Sequence, residues 1–292
     1  MSLATKRTIY GNGLQTALLN NADHVIQQFS TLNEKFNVLA TDNPDSNPTL
    51  GYYTIGRGGH QNYSGADGQA LTKARPHRAR DAALFKHLPF VMRELDNDLT
   101  NVERNAYALR TVETFAGVEY YCYYLKRVST GSQPIRYEHH VTVDGNTDTM
   151  AFQPAQSDLN PTPVDIPAEG VTAASGEKLS VSTTFEINFT AQDAENLKQV
   201  CRIRHNDEAY AVVSEIGICS GQDHAIDVQP AVGNPYQMLE ARGVQIATFV
   251  QCMYPMAFAN NGFNLKIDLG ASEPLAVDNT SGNAVNLGQL RR

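Results

Sequence analysis

The residues first examined for metal or acid–base chemistry are the eight histidines: His24, His60, His77, His87, His139, His140, His205 and His224. The sequence contains no HExxH motif, and no two histidines have the i, i+4 spacing that places two ligands on one helix face. His139 and His140 are adjacent, so on a strand they point to opposite faces. The turn-like stretch His205–Glu208 lacks the spacing of a calcium loop. The pattern therefore predicts neither a metal site nor a bound cofactor.

Motifs for nucleophilic catalysis are also missing. The tripeptide Cys219–Gly221 lacks the Gly-x-Ser-x-Gly pattern of a nucleophile elbow. The pair Ser214–Glu215 lies in an apolar stretch, where we expect a structural hydrogen bond rather than a base. The carboxylates at Asp96–Asp98 belong to a polar segment typical of a turn. We therefore predict that the chain is not an enzyme, although a carboxylate pair assembled from distant positions stays an open alternative.

The most conspicuous loop motif is Gly56–His60, with the sequence GRGGH. Glycine-rich loops can bind phosphate through their backbone N–H groups. This loop lacks the Gly-Lys-Ser/Thr ending of a P-loop and the glycine spacing of a dinucleotide fingerprint. We predict an ordinary tight loop after a short strand at Tyr52–Ile55.

Residues 84–128 carry the most distinctive pattern in the chain. An apolar plug at Leu88–Val91 precedes a charged turn at Asp96–Asp98. Thr100–Glu103 fits a capping box, in which a hydroxyl and a carboxylate satisfy free amides at a helix start. The following strand carries four tyrosines: Tyr120, Tyr121, Tyr123 and Tyr124. They do not all fit one face of one strand, so we expect some of them to pack on another element or another subunit.

Periodicity predicts an α+β fold. Apolar residues recur at helical spacing between residues 22 and 39: Val25, Phe29, Leu32, Phe36 and Leu39. From Tyr137 the pattern is mostly β, with a hairpin over 139–152 and a strand over 179–189, interrupted by a short helix over 193–203. We therefore predict an N-terminal helical part followed by mostly antiparallel β-sheets, arranged as a sandwich or barrel.

The expected domain organisation follows the same pattern. Residues 1–50 form an N-terminal helical arm, and residues 51–273 form an α+β core. The proline-rich connection 153–177 is the candidate boundary within that core. Residues 274–292 form a polar tail that is loose unless a neighbour orders it.

Composition and charge narrow the class of function. Residues 1–130 contain 14 Lys/Arg and 12 Asp/Glu, whereas residues 131–292 contain 9 and 19. This acidic second half repels phosphate backbones, so nonspecific nucleic-acid binding across it is not expected. No sequence-specific nucleic-acid partner is predicted either. No run approaches the ~20 apolar residues of a membrane span, and no signal peptide is expected at the start. Four widely spaced cysteines suit a reducing cytoplasm, and disulfides among them stay open: Cys122, Cys201, Cys219 and Cys252.

Several stretches resemble virion structural proteins of tailed double-stranded DNA phages. They are Leu88-Pro89-Phe90-Val91-x-Arg93, Asn97-Asp98-Leu99-Thr100-x-x-Glu103-Arg104-x-x-Tyr107-x-Leu109-Arg110, Tyr123–Arg127, Tyr210-Ala211-x-x-Ser214-Glu215-Ile216-Gly217-x-Cys219-Ser220-Gly221 and the loop Ile55–His60. The resemblance covers roughly residues 50–225. It implies a non-enzymatic virion component, made in the cytoplasm of the host bacterium, with no membrane partner.

Chain length and the arm-like segments favour one station in such a particle. We predict a neck or collar ring at the head–tail connector, formed by cyclic self-association and contacting other neck, portal or tail proteins. The predicted interface residues are Arg104, Arg110, Tyr120, Tyr121, Tyr123, Tyr124 and Arg127. A baseplate or capsid-decoration binding protein is the alternative, and a virion-associated hydrolase is a further one.

Overall fold

The computed structural model describes residues 3–38, 45–128, 134–143, 146–159, 177–229, 235–257 and 262–274. The chain divides into two compact units. The large unit comprises residues 1–129 and 187–265, and the small unit comprises residues 130–186 and 266–292. Most of the predicted boundary connection and nearly all of the predicted tail lie outside the described residues.

The strands of the described residues are β1 (Leu3–Arg7), β2 (Thr49–Gly56), β3 (His60–Ser64), β4 (Ala70–Ala74), β5 (His87–Leu88), β6 (Val91–Glu94), β7 (Tyr107–Phe115), β8 (Val118–Arg127), β9 (Arg136–Val143), β10 (Asn146–Ala151), β11 (Glu177–Phe189), β12 (Val212–Val228), β13 (Tyr236–Ala257) and β14 (Phe263–Pro274). The helices are α1 (Ile9–Leu19), α2 (Leu32–Phe36), α3 (Asn101–Arg104) and α4 (Ala191–His205).

The large unit is built on an eight-stranded sheet with the order β1-β13-β12-β2-β8-β6, to which β5 and β7 add by pairing with β2 and β8. β3 and β4 form a separate hairpin. Residues 213–221 of β12 and residues 122–125 of β8 are buried without alternation. Continuous burial of this kind means that both faces of the sheet are covered at its centre. The glycine-rich loop described below packs against β12, and the turn that contains Asp98 contacts β8.

Local sequence explains two of the helices. Thr100 and Glu103 form the predicted capping box at the start of α3, and Thr190 and Asp193 form another at the start of α4. α4 contains the predicted helix 193–203 and ends at Asn206, which adopts the left-handed conformation (φ 55°) that commonly terminates helices.

The prediction of an α+β fold with an N-terminal helical part is wrong. Strands hold 52% of the described residues and helices 18%, so this part of the protein is mostly β. The chain begins with strand β1, and the predicted helix over 22–39 is reduced to the single turn of α2. Phe29 has a positive φ of 62° and is 79% exposed. Thr31 is the N-cap of α2, and its hydroxyl accepts a hydrogen bond from the Glu34 N–H, so the helix begins only at Leu32. These backbone features interrupt the apolar stripe that suggested a longer helix.

The small unit contains a four-stranded sheet with the order β10-β9-β11-β14. Its hairpin β9–β10 and strand β11 match the predicted hairpin 139–152 and strand 179–189. Pairing places His139 opposite both Met150 and Leu179, and Tyr137 opposite Val181. Side chains on directly paired residues share a face, so one face, called the apolar face below, is rich in apolar side chains but also carries Asp148 and Glu177 opposite Val141, and the other face is polar. The polar face carries His140, hydrogen-bonded to Thr149 and Ser180.

Candidate functional site

The four tyrosines of the predicted interface lie on β8, inside the main sheet. Tyr123 and Tyr124 are buried, whereas Tyr120 and Tyr121 are half-buried. The ring of Tyr124 stacks on Phe36 of α2, with ring centroids 4.0 Å apart. The hydroxyl of Tyr124 donates to Glu113, which Arg204 also binds at 2.8 Å.

Asp98 lies at the centre of a polar cluster that joins the capped helix α3 to β7 and β8. One carboxylate oxygen accepts hydrogen bonds from the Tyr123 hydroxyl at 2.6 Å and from the Leu99 backbone N–H at 2.7 Å. The other lies 3.1 Å from Arg110 Nη1 and 3.3 Å from Arg104 Nη2. Burial and the hydrogen bond to Asp98 both raise the pKa of Tyr123. Asp98 therefore has four donors around it, all from this chain.

Tyr236 of β13 packs against both of these arginines. Arg104 lies over its ring, 4.2 Å from the centroid, and Arg110 donates to its hydroxyl at 3.0 Å. Burial by itself lowers the pKa of Arg110. The hydrogen bond to Tyr236 and the nearby charge of Asp98 outweigh that effect and raise this pKa. Both guanidinium groups are thus held in place by Tyr236.

Arg127, at the end of β8, forms a second intrachain cluster. It donates to Asp223 at 2.7 Å and to the Leu239 carbonyl at 2.9 Å. The Tyr52 hydroxyl donates to the same carboxylate at 2.9 Å. The three predicted interface arginines therefore each bind an acidic group of their own chain. Contacts of these residues with a neighbouring subunit stay a prediction.

The glycine-rich loop encloses the carboxylate of Glu215, which is fully buried on β12. Oε1 accepts hydrogen bonds from the backbone N–H groups of Gly58 at 2.7 Å and Lys86 at 3.0 Å. Oε2 accepts from the Phe85 N–H at 3.1 Å and from His77 Nε2 at 2.8 Å. The backbone N–H groups of the loop therefore bind side chains of β12. This is the structural hydrogen bonding that the apolar setting of Ser214–Glu215 predicts.

His77 is held rigidly beside this carboxylate. Its ring lies between the rings of Phe85 and Phe249, with centroids 4.0 and 3.8 Å away and interplanar angles of 8° and 7°. Its Nδ1 lies 3.4 Å from Asp81, a contact that lacks hydrogen-bond geometry. With Nε2 bonded to Glu215 and Nδ1 facing Asp81, neither nitrogen faces a serine, threonine or cysteine nucleophile.

Glycines allow the loop to approach β12 this closely. A Cβ on Gly59 would lie 2.3 Å from the Ser214 carbonyl oxygen, and one on Gly58 would lie 2.8 Å from Glu215 Oε1. Real Cβ atoms essentially never come within 3.0 Å of such atoms. The Gly59 N–H also donates to Ser214 Oγ at 3.1 Å. The loop GRGGH and the residue pair Ser214–Glu215, which are far apart in the sequence, therefore pack directly against each other and form one hydrogen-bonded cluster.

The carboxylates of Glu215 and Asp98 are saturated, in the sense that both oxygens of each already contact donors of the protein, and this limits the chemistry that they can perform. Each of these oxygens contacts two nitrogen or hydroxyl groups of this chain, which leaves little room for a substrate atom beside them. Sequence reasoning missed the pairing of Glu215 with His77, because residues 138 positions apart show no local pattern. It also missed Tyr236 as the partner of Arg104 and Arg110. The sequence offered one signal for the Glu215 cluster. It contains a loop with three glycines and also a glutamate in an apolar strand, and a buried carboxylate needs donors such as the N–H groups of such a loop.

The described residues contain no group of three or more His, Cys, Asp or Glu side chains that could hold a metal ion. Within that same part of the chain, no helix has the length and apolar character needed to cross a membrane. Cys122, Cys201 and Cys219 are buried free thiols. Burial raises the pKa of the Cys201 thiol to about 11, which keeps it in the unreactive protonated form at neutral pH. The side chain of Cys252 lies outside the described residues.

The sequence matches one protein-family model over most of its length. Residues 2–284 match the model of a family of unknown function, DUF7208, and the chain belongs to that family. Searches of curated proteins and of solved structures find no match.

Proposed function

We propose that the chain is a non-enzymatic structural component of a tailed-phage virion that assembles by self-association into a neck or collar ring. The phage assignment is supported by the sequence resemblance of residues 50–225. Self-association is supported by one structural observation, the presence of two separate exposed apolar surfaces in the described residues.

The first surface is the apolar face of the small-unit sheet. Tyr137 and Met150 occupy this face and are 58% and 53% exposed, and Ile135 next to it is 63% exposed. A sheet with one apolar face normally buries that face against a second layer. At the other end of the unit, Phe185 and Ile267 are buried. The end of the sheet that carries the exposed residues Ile135, Tyr137 and Met150 is thus the part available for a partner.

The second surface is the segment 18–29 of the large unit. Four apolar side chains of this segment are exposed by 54 to 79%: Leu18, Leu19, Val25 and Phe29. The backbone there is well anchored, because the His24 N–H donates to Asn47 and His24 Nε2 lies 2.8 Å from Gln245. Exposed apolar groups on an anchored segment are typical of an interaction surface.

Two different apolar surfaces on one chain favour head-to-tail association. In such an interface the first surface of one copy contacts the second surface of the next copy, and the series closes into a ring when the rotation allows it. A second copy of the chain is therefore the partner we propose for both surfaces. The saturated state of the Glu215 and Asp98 clusters supports a structural role over a hydrolase.

The test is native mass spectrometry with negative-stain class averages of the full chain and of matched variants. Met150→Lys places a charge on the apolar face, and we expect it to convert rings into monomers. Thr149→Lys changes the adjacent residue on the polar face and should leave assembly intact. Phe29→Lys tests the second surface in the same way. A wild-type chain that stays monomeric at concentrations near 100 µM, or rings unaffected by either apolar-surface variant, would overturn the proposal.

A further inference from the structure

A cleft of about 660 Å³ opens on the large unit beside the glycine-rich loop. Its walls come from that loop, the β3–β4 hairpin, the segment before β5 and the turn before β12. The residues that matter for its chemistry are Arg57, His60, Arg75, Lys86 and Tyr210. The volume lies within the range of small-molecule sites.

Three permanent cations line this cleft without a carboxylate partner. No Asp or Glu oxygen of the described residues lies within 4 Å of the charged nitrogens of Arg57, Arg75 or Lys86. Arg104, Arg110 and Arg127, in contrast, each have such a partner. Unpaired cations that share one concave surface create a positive potential, which is stronger in a cleft than on a flat face.

Two of these cations are oriented by aromatic rings. Arg57 lies over the ring of Tyr210 and Arg75 lies over the ring of Phe85, each with 4.7 Å to the centroid. Stacking fixes the plane of a guanidinium group and leaves its N–H edges available. Such edges bind phosphate or carboxylate oxygens in a forked geometry.

His60 supplies a further polar group. Its Nδ1 is shielded from solvent and has no hydrogen-bond partner among the described residues. Burial lowers the pKa of His60, Glu215 opposes this effect, and Arg57 and Lys86 lower the pKa further. An anion in the cleft would offset the repulsion from these two cations and raise this pKa.

We infer that this cleft binds a phosphate-bearing small molecule with at least two negative charges. A single carboxylate would neutralise only one of the three cations, whereas a diphosphate matches them. The loop amides of Gly58 and Gly59 already bind Glu215 and Ser214. Recognition therefore depends on the side chains around the loop, which is why no P-loop sequence is needed. This inference does not depend on ring formation.

The experiment is isothermal titration calorimetry of the full chain with sodium pyrophosphate at about 50 mM salt. We expect saturable binding of one ligand per chain, weakened about tenfold by Arg57→Gln, Arg75→Gln or Lys86→Gln, because each removes one charged hydrogen bond. Lys86 is exposed, so Lys86→Gln keeps the test valid if an arginine variant unfolds. Arg78→Gln and Arg80→Gln are the controls, since they make the same charge change at exposed positions outside the cleft.

NMR titration of His60 gives a second readout, located in the cleft itself. The pKa of His60 should rise when pyrophosphate is bound, and in Lys86→Gln the same ligand-induced rise should require about tenfold more pyrophosphate. Titration with ADP distinguishes the source of the phosphate, because tighter binding than pyrophosphate indicates a nucleotide. Absence of saturable binding at 1 mM, or equal weakening by the control variants, would overturn the inference.

Discussion

Glu215 and Asp98 are two low-exposure carboxylates that each receive four donors, but the donors are of different kinds. Glu215 is held by three backbone N–H groups and His77, whereas Asp98 is held mainly by Arg104, Arg110 and Tyr123. Backbone donors require a close approach of the chain, which depends on glycine at Gly58, whereas Phe85 and Lys86 donate from the segment before β5. Side-chain donors require particular residue types at ordinary distances. The comparison teaches that one cluster depends on the shape of a loop and the other on the chemistry of its side chains.

Removing the charge at the loop-held carboxylate should have the largest effect. Glu215→Gln replaces one acceptor oxygen with an NH₂ group that faces other donors. Since the site is fully buried, we expect a loss of about 3 to 5 kcal/mol in the free energy of unfolding. Chemical denaturation measures it. Glu119→Gln, at an exposed position, is the control, and a loss below about 1 kcal/mol at Glu215 would contradict the buried network.

A change in the shape of the loop should come next. Gly59→Ala places a Cβ against the Ser214 carbonyl oxygen, so the loop or β12 has to move. We expect a loss of about 2 to 4 kcal/mol. Gly51→Ala, on β2, is the matched control because no atom lies within 4 Å of its added Cβ. Equal denaturation midpoints for the two variants would show that the loop tolerates a side chain.

The side-chain cluster should be less sensitive. Asp98→Asn keeps an acceptor for Tyr123 and the Leu99 N–H but removes the charge that faces Arg104 and Arg110. The side chain of Asp98 is 12% exposed, so solvent screens part of the effect. We expect a loss of about 2 to 3 kcal/mol. A loss as large as that of Glu215→Gln would remove the distinction between the two clusters.

Glu240, another buried carboxylate that lies near Arg110, makes the stability of the protein depend on pH. Burial raises the pKa of Glu240 from 4.5 to about 7, although Arg110 and Arg127 act against this shift. The folded state therefore binds a proton more tightly than the unfolded state. The stability gained is present below pH 4.5 and is lost as the pH rises through 7. Glu240→Gln should remove this pH dependence and stabilise the protein at pH 8 by about 1 to 3 kcal/mol.

Thermal unfolding of Glu240→Gln and the wild type between pH 4.5 and 8 checks this prediction. The control is Glu94→Gln, at an exposed position. Parallel stability curves for the wild type and Glu240→Gln across this range would contradict the raised pKa.

Local patterns predicted the elements that local contacts determine. The capping box of α3 and the strands β8 and β11 follow from residues close together in sequence. α1 was missed because Gly11 and Gly13 lower its intrinsic helix propensity. It forms nevertheless, and a Cβ on Gly11 would lie 2.5 Å from the Ala247 carbonyl oxygen, so the glycine permits a close approach to β13. That contact joins positions 236 residues apart and leaves no trace in periodicity.

Contacts between residues far apart in the sequence also limited how much of the candidate site could be predicted. Arg104, Arg110 and the tyrosines of β8 were predicted to form a subunit interface, which stays a prediction, and the structure shows that Arg104, Arg110 and Tyr123 contact Asp98 of the same chain. Their partner Tyr236 and the His77–Glu215 pair come together only through the order of strands in the sheet. Strand order depends on pairings such as β12 with β2, which no short stretch of sequence specifies.

The edge position of β1 has a consequence for how the protein is made. Leu3 pairs with Cys252 and Arg7 pairs with Thr248. At a synthesis rate of about 5 to 20 residues per second, the partner of β1 leaves the ribosome roughly 12 to 50 seconds after β1 itself. During this interval the N-terminal strand has no hydrogen-bonding partner on β13. Lys6 and Arg7 disfavour pairing with other exposed strands in that time. The large unit therefore completes its sheet only late in translation or after release, once β13 is available.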